Sequence, residues 1–280
     1  MQLQMHGLVE GPVVAVLSTW DPFLGSHARL LDRLQAHAGA SGLQAVAVLL
    51  DPAPALLLNG AQRWPVYHDA ASRVRFLKST GIAAVAHIHF AAADLGDTAA
   101  GFFALLRRQM TIAEFWLRDG QTIGSGPRGN ATAIHVDCLR HKARLERLPA
   151  DDTQLQCSLA RQQLAAGAVA RAATGVGRPP IVSRPRSRQA SVAWREGRYL
   201  AQALASPLDV PSQRGTLSVR LTKRSDGMCH FAWPDPQVEY LTFLAGPGDD
   251  SRVRSALDRV RSRRRHAAPA SRLHLAEADR

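Results

Sequence analysis

The chain has 280 residues, 46% of them apolar, enough for one large domain or two modest ones. No apolar run approaches the roughly 18 residues that span a bilayer. The opening MQLQMHGLVEGP lacks the basic start and apolar core of a signal peptide, and Cys138, Cys157 and Cys229 form no CxxC. A cytoplasmic protein without a structural metal is the expectation, and no membrane partner is expected.

The net charge of +12 and a pI near 11.0 favour acidic partners in general. Half of that charge sits in residues 251–280, where nine Arg face Asp258, Glu277 and Asp279. Such a tail is a solvated charge run whose nucleic-acid contacts are expected to be nonspecific and salt-sensitive.

In chain order, three apolar, β-branched runs at 13–17, 43–50 and 83–90 read as buried parallel strands. Leu30, Leu31, Leu34 and Ala38 fall at helical spacing between the first two, with Ser26 placed to cap the start. Val74, Phe76 and Leu77 before Gly81 mark a second helix and its stop. Phe102, Phe103, Leu105 and Leu106 mark a third, and 112–117 a fourth strand. This alternation predicts an α/β fold with a doubly wound parallel sheet. Such sheets bind ligands at the carboxyl ends of their strands, which places residues 19–27 at the expected site.

The glycine-rich DGQTIGSGPRGN of residues 119–130 reads as a tight loop able to cradle an anion. A helix at 131–142 and a short strand at 144–148 follow. One or two further helices then run to the stop at 175–180. Pro and Arg dominate 176–195, which reads as a linker. Three alternating segments, 216–223, 228–233 and 238–245, form a small antiparallel β unit, the first two joined through Ser225-Asp226-Gly227. The expected division is 1–180, a linker 181–195, a β unit 196–248 and an Arg-rich tail 249–280.

Several stretches in order carry a family resemblance. Ser18-Thr19-Trp20-Asp21 followed by Leu24-Gly25-Ser26-His27 is similar to a G-x-F-D turn and an H-x-G-H motif leading into a helix. LLDPAPALLL stands where a Pro-His-Pro segment follows a strand. YHDAASRVRFLKSTGIAAV is similar to a helix and strand with an internal Lys, and TAAGFFALL to the helix before a fourth strand. CSLARQQLAAGAVARAATGVGRPP resembles a closing S-S-T-x-I-R-x-x-L-x-x-G segment. From about residue 13 to 180 the chain thus resembles the N-terminal FMN adenylyltransferase module of the bacterial bifunctional riboflavin kinase/FAD synthetase family.

The resemblance implies a Rossmann-like nucleotidyltransferase that transfers AMP from ATP to FMN, giving FAD and pyrophosphate with the help of Mg²⁺. No protein nucleophile is needed, because positioning and charge neutralisation dominate phosphoryl chemistry. By resemblance, Asp21 and His27 are the catalytic candidates. Ser18, Thr19, Gly25, Ser26, Ser158 and Arg161 would bind ATP. Gly124, Gly126 and Asn130 would line the flavin.

Departures from the motif keep a second reading open. Leu24 stands for the first motif histidine, Ser26 for its glycine, Ala53 for the Pro-His-Pro histidine and Cys157 for a serine. Losing one phosphate-stabilising donor typically costs about 10²–10³ in rate. The alternative is therefore an inactive FAD synthetase-like protein that still binds a nucleotide or flavin. His68 or His87 could supply a missing donor. The β unit lacks a P-T-A-N-like stretch, so no riboflavin kinase activity is expected.

Overall fold

The computed structural model describes residues 1–51, 65–89, 94, 99–121, 123, 131–185, 189–209, 216–225, 228–235 and 237–249. Ala53, Gly124, Gly126, Asn130, the Asp226-Gly227 turn and the Arg-rich tail at 251–280 lie outside them.

The first sheet contains β1 (Gln2–His6), β2 (Pro12–Ser18), β3 (Gln44–Asp51), β4 (Ala84–His89), β5 (Thr111–Arg118) and β6 (Arg144–Leu148), in the order β1-β4-β3-β2-β5-β6. Its helices are α1 (Gly25–Ser41), α2 (Ala70–Ser79), α3 (Ala99–Arg107) and α4 (Ala131–Arg140). Strands β2 to β6 pair in parallel. Their apolar runs bury side chains on both faces. Val13, Ala15, Val46 and Val48 pack towards Phe102, Phe103 and Leu106. Val14, Val16, Ala47 and Leu49 pack towards Leu30, Leu31, Leu34, Phe76 and Leu77.

The expected doubly wound parallel sheet is corrected here. β1 runs antiparallel to β4, from Gln2 opposite His89 to His6 opposite Val85, so the sheet is mixed. Leu3 and Met5 pack against the core while Gln2 and Gln4 are exposed. Five alternating residues at an amphipathic edge carry too little apolar signal to announce a strand, and an edge strand needs only one pairing partner.

The small C-terminal β unit is corrected as well. Beyond α5 (Thr153–Ala165) and α6 (Val169–Val176), six strands form a second, curled antiparallel sheet: β7 (Ile181–Ser183), β8 (Gln189–Val192), β9 (Gly197–Leu204), β10 (Thr216–Lys223), β11 (Cys229–Ala232) and β12 (Tyr240–Ala245). Their order is β7-β12-β9-β10-β11-β8. The two edge strands, β7 and β8, occupy the stretch expected to be a linker. Neither has a local strand signal. β7 forms by pairing with β12, and β8 by pairing with β11.

Helices α5 and α6 cover one face of this second sheet. Cys157, Ala160, Leu164, Val169 and Ala172 meet Tyr199, Val219, Leu221, Phe231 and Phe243. Asp249, just after β12, accepts hydrogen bonds from the amides of Ala170, Arg171 and Gly246, anchoring the end of the sheet to the start of α6. The two sheets meet where His68 bridges Ile181 and the Ile181 amide donates to the Tyr67 carbonyl at 3.2 Å.

Candidate functional site

The strand end at 18 and the helix start at 25 form the corner where the sequence places a nucleotide. Ser18 closes β2. The chain then turns through Trp20, which holds a left-handed backbone (φ 54°) costing roughly 1–2 kcal/mol for a non-glycine residue. Its indole N–H donates to the Val48 carbonyl at 2.9 Å, and the ring is fully buried against the sheet. That buried ring and its bond hold the strained turn in place.

His27 lies beneath the turn with no exposed surface. Its Nδ1 accepts from the Leu24 amide at 3.1 Å, so the imidazole proton belongs on Nε2, which lies 3.2 Å from Ser18 Oγ and donates to it. The Trp20 and Phe23 rings enclose it at centroid distances of 5.2 and 5.9 Å. Burial, assisted by the nearby Arg118 guanidinium, lowers its pKa to about 3. His27 is a neutral imidazole with both nitrogens engaged inside the protein.

Asp21 is equally enclosed. Its carboxylate accepts from the amides of His68 at 2.7 Å and Tyr67 at 3.1 Å, and from Arg161 Nη2 at 3.4 Å. Arg161 also donates to the Asp21 carbonyl. Mg²⁺ does not fit here, because three N–H donors already occupy the carboxylate. Among the described residues, no group of three or more His, Cys, Asp or Glu could hold a metal ion.

Leu24 is only 2% exposed and packs with Tyr67, Cys157, Ala160 and Leu164. Where the motif has its first histidine, this chain therefore has an apolar plug between α1 and α5. Ser26, in the first turn of α1, accepts from the Thr153 hydroxyl at 2.8 Å; it does not cap the helix, whose N-cap position is Leu24. The Thr19 carbonyl accepts from Arg73 at 3.0 Å. Ser158 is half-buried on α5, and Gly25 is exposed. Among the described residues, no hydrogen bond satisfies the amides of Gly25 and Ser26, so the open part of the corner is the amino end of α1.

The structure thus brings Ser18, Asp21, His27 and Arg161 together but turns their polar atoms inward. It brings His68, one of the two suggested substitute donors, to the same corner and adds Arg118 and Arg73. His68 is buried, accepts from the Phe23 amide at 3.3 Å and is held neutral by burial with a pKa lowered to about 4. Arg118, at the end of β5, is buried and paired with Asp151. Arg73 is paired with Asp51. Arg118 was findable as a charge at the carboxyl end of a strand, whereas Arg73 lies within α2. The role of Tyr67 and His68, whose amides bind Asp21, leaves no side-chain signal in a sequence. His87 stands away from this corner, stacked on His6 at 5.8 Å and 3.9 Å from the Asp51 carboxylate. A cleft of about 640 Å³ lined by Pro12, Arg107, Arg108 and Thr111 lies at the amino ends of β2 and β5, the opposite end of the strands.

Fold and corner together define a class: a mixed α/β sheet joined to a curled antiparallel sheet through a largely closed polar junction. No family model matches the chain, and no curated protein matches it. Among solved structures it is similar to that of a macrolide-efflux protein from Streptococcus pneumoniae, with a TM-score of 0.55 and 17% identity over 93% of this chain and 95% of that one. The likeness shows the fold, and it replaces the expected Rossmann-like nucleotidyltransferase fold. Among the described residues, no helix is long and apolar enough to cross a membrane.

Proposed function

We propose that this chain is a non-catalytic, FAD synthetase-like protein that binds a nucleotide or flavin phosphate at the amino end of α1 without turning it over. One observation carries the reading: both nitrogens of the enclosed His27 are engaged, by Ser18 Oγ and the Leu24 amide, leaving none for a phosphate. The Asp21 carboxylate is likewise committed to protein donors. Transfer of AMP from ATP to FMN requires donors aimed at the developing phosphate charge, and here those side chains hold the fold together instead. What supports retained binding is the pair of unsatisfied amides at Gly25 and Ser26, at the positive end of a 17-residue helix. A cytoplasmic location goes with this reading and suits three free, buried thiols.

The test is to incubate the full chain with ATP, Mg²⁺ and FMN, follow FAD by chromatography, and titrate FMN, FAD and ATP separately by calorimetry. Binding of at least one ligand with no FAD formed is the expected result. FAD production proportional to enzyme would overturn the non-catalytic reading, and no heat with any ligand would overturn the binding.

A further inference from the structure

The outward face of α5 carries an apolar stripe that stays exposed among the described residues. Cys157, Ala160 and Leu164 face the second sheet; on the opposite side Leu155 and Leu159 stand one helical turn apart, 59% and 47% exposed. Gln162, also exposed, continues that side by a further turn. No Lys or Arg shares it, since Arg161 turns inward to Asp21. At its start Asp151 and Asp152 are both exposed; Asp151 pairs with Arg118, and among the described residues no ion pair engages Asp152.

The chain itself supplies a complement. Gly248 donates its amide to the Gly167 carbonyl at 3.0 Å, and Asp249 accepts from the amides of Ala170 and Arg171, so residues 250–280 start beside the carboxyl end of α5. Their opening, DSRVRSALDRVRSRRR, offers Asp250 and Ser251 as cap residues and sets Val253, Ala256, Leu257 and Val260 at the i, i+3, i+4, i+7 spacing of one helix face. Val253 to Val260 is the same interval as Leu155 to Gln162, ~10.5 Å of helix. We propose that residues 251–262 form a helix that docks antiparallel on the Leu155–Leu159 stripe of α5. In that register Leu257 lies on Leu159 and Val260 on Leu155, and Arg261, Arg263, Arg264 and Arg265 arrive at Asp151 and Asp152. The tether selects this occupant. Two leucines are too little surface to hold a separate molecule, because stable interfaces bury roughly 1,200–2,000 Å². A segment joined by a short linker is held at millimolar effective concentration and needs far less.

The test is hydrogen exchange of the full chain, read by mass spectrometry on peptides spanning 255–262, whose amides such a helix would bond. An undocked helix this short is marginal in water, so slowed exchange there reports docking. These amides should exchange about tenfold or more slowly than in an unfolded chain. Leu155→Ser with Leu159→Ser, both at exposed positions, should return them to the unfolded rate, and so should Leu257→Ser, which leaves α5 untouched. Leu139→Ser, at an exposed leucine on α4, should leave the protection unchanged. Circular dichroism confirms that the variants fold. Exchange at the unfolded rate in the unsubstituted chain would overturn the proposal, as would protection that survives the α5 pair. Protection that grows with protein concentration would overturn it in favour of a segment docked on a second copy.

Discussion

Acid should destabilise this protein well before its carboxylates titrate, because two imidazoles are buried neutral. Burial lowers His27 from 6.5 to about 3 and His68 from 6.5 to about 4. In each case the folded state binds fewer protons than the unfolded state once pH drops below 6.5. Their contribution is complete above that value and is lost as pH falls towards 3–4. At pH 5 the unfolded histidines are almost fully protonated and the folded ones are not. Each then costs about 1.4 kcal/mol per pH unit below 6.5, or about 2 kcal/mol each and about 4 kcal/mol together. That is a large fraction of the 5–15 kcal/mol typical of a folded domain. His6, also lowered by burial, acts in the same direction. The carboxyls of Asp51 and Asp151 sit below their usual 3.8, so their loss comes at lower pH and leaves the window between 5 and 6.5 to the histidines. Urea unfolding at constant ionic strength, followed by tryptophan fluorescence at half-unit steps from pH 8 to 5, measures the effect. Substituting His27→Gln and His68→Gln should each remove a comparable share of the pH dependence, leaving the part that comes from His6. A stability flat between pH 8 and 5, or a double variant with the full dependence, would refute the buried-neutral account.

Other substitutions probe the same junction. Restoring the motif histidine by Leu24→His places an imidazole in the apolar contact with Tyr67, Cys157 and Leu164; it should destabilise by at least ~2 kcal/mol and yield no FAD in the chromatographic assay. Asp21→Ala strips the acceptor from two amides and Arg161, and thermal unfolding should report a loss of about 3–5 kcal/mol. Asp249→Ala frees three amides at the α6 end of the second sheet, of which that of Gly246 is buried; denaturant unfolding should show a cost of about 1–3 kcal/mol. In Gly246→Ala the new Cβ would stand 2.3 Å from the Gly167 carbonyl oxygen, so expression and thermal stability should fall, by about 1–3 kcal/mol or more.

Local pattern by itself determined the parallel core. Continuous β-branched runs at 13–17 and 43–50 can be satisfied only with both faces covered, and the helical spacing of Leu30, Leu31 and Leu34 supplies one of the covers. The hairpin partners read at 216–223 and 228–233 were legible, because a period of two is written in adjacent residues, and the second forms at Cys229–Ala232. Motif order also pointed to the junction after β2 and to Asp21, His27 and Arg161. Only the tertiary structure decided what that junction does. Whether an imidazole faces solvent or a serine depends on Trp20 and Leu24 closing over it, and on backbone amides of Tyr67 and His68 arriving from over 40 residues away. Backbone donors carry no residue-type signature, so no motif can reveal them. The edge strands β1, β7 and β8 escaped for a related reason: strand edges form by hydrogen bonding to a neighbour already in place, an energy that resides in the pairing and not in the five, three or four residues that make each strand.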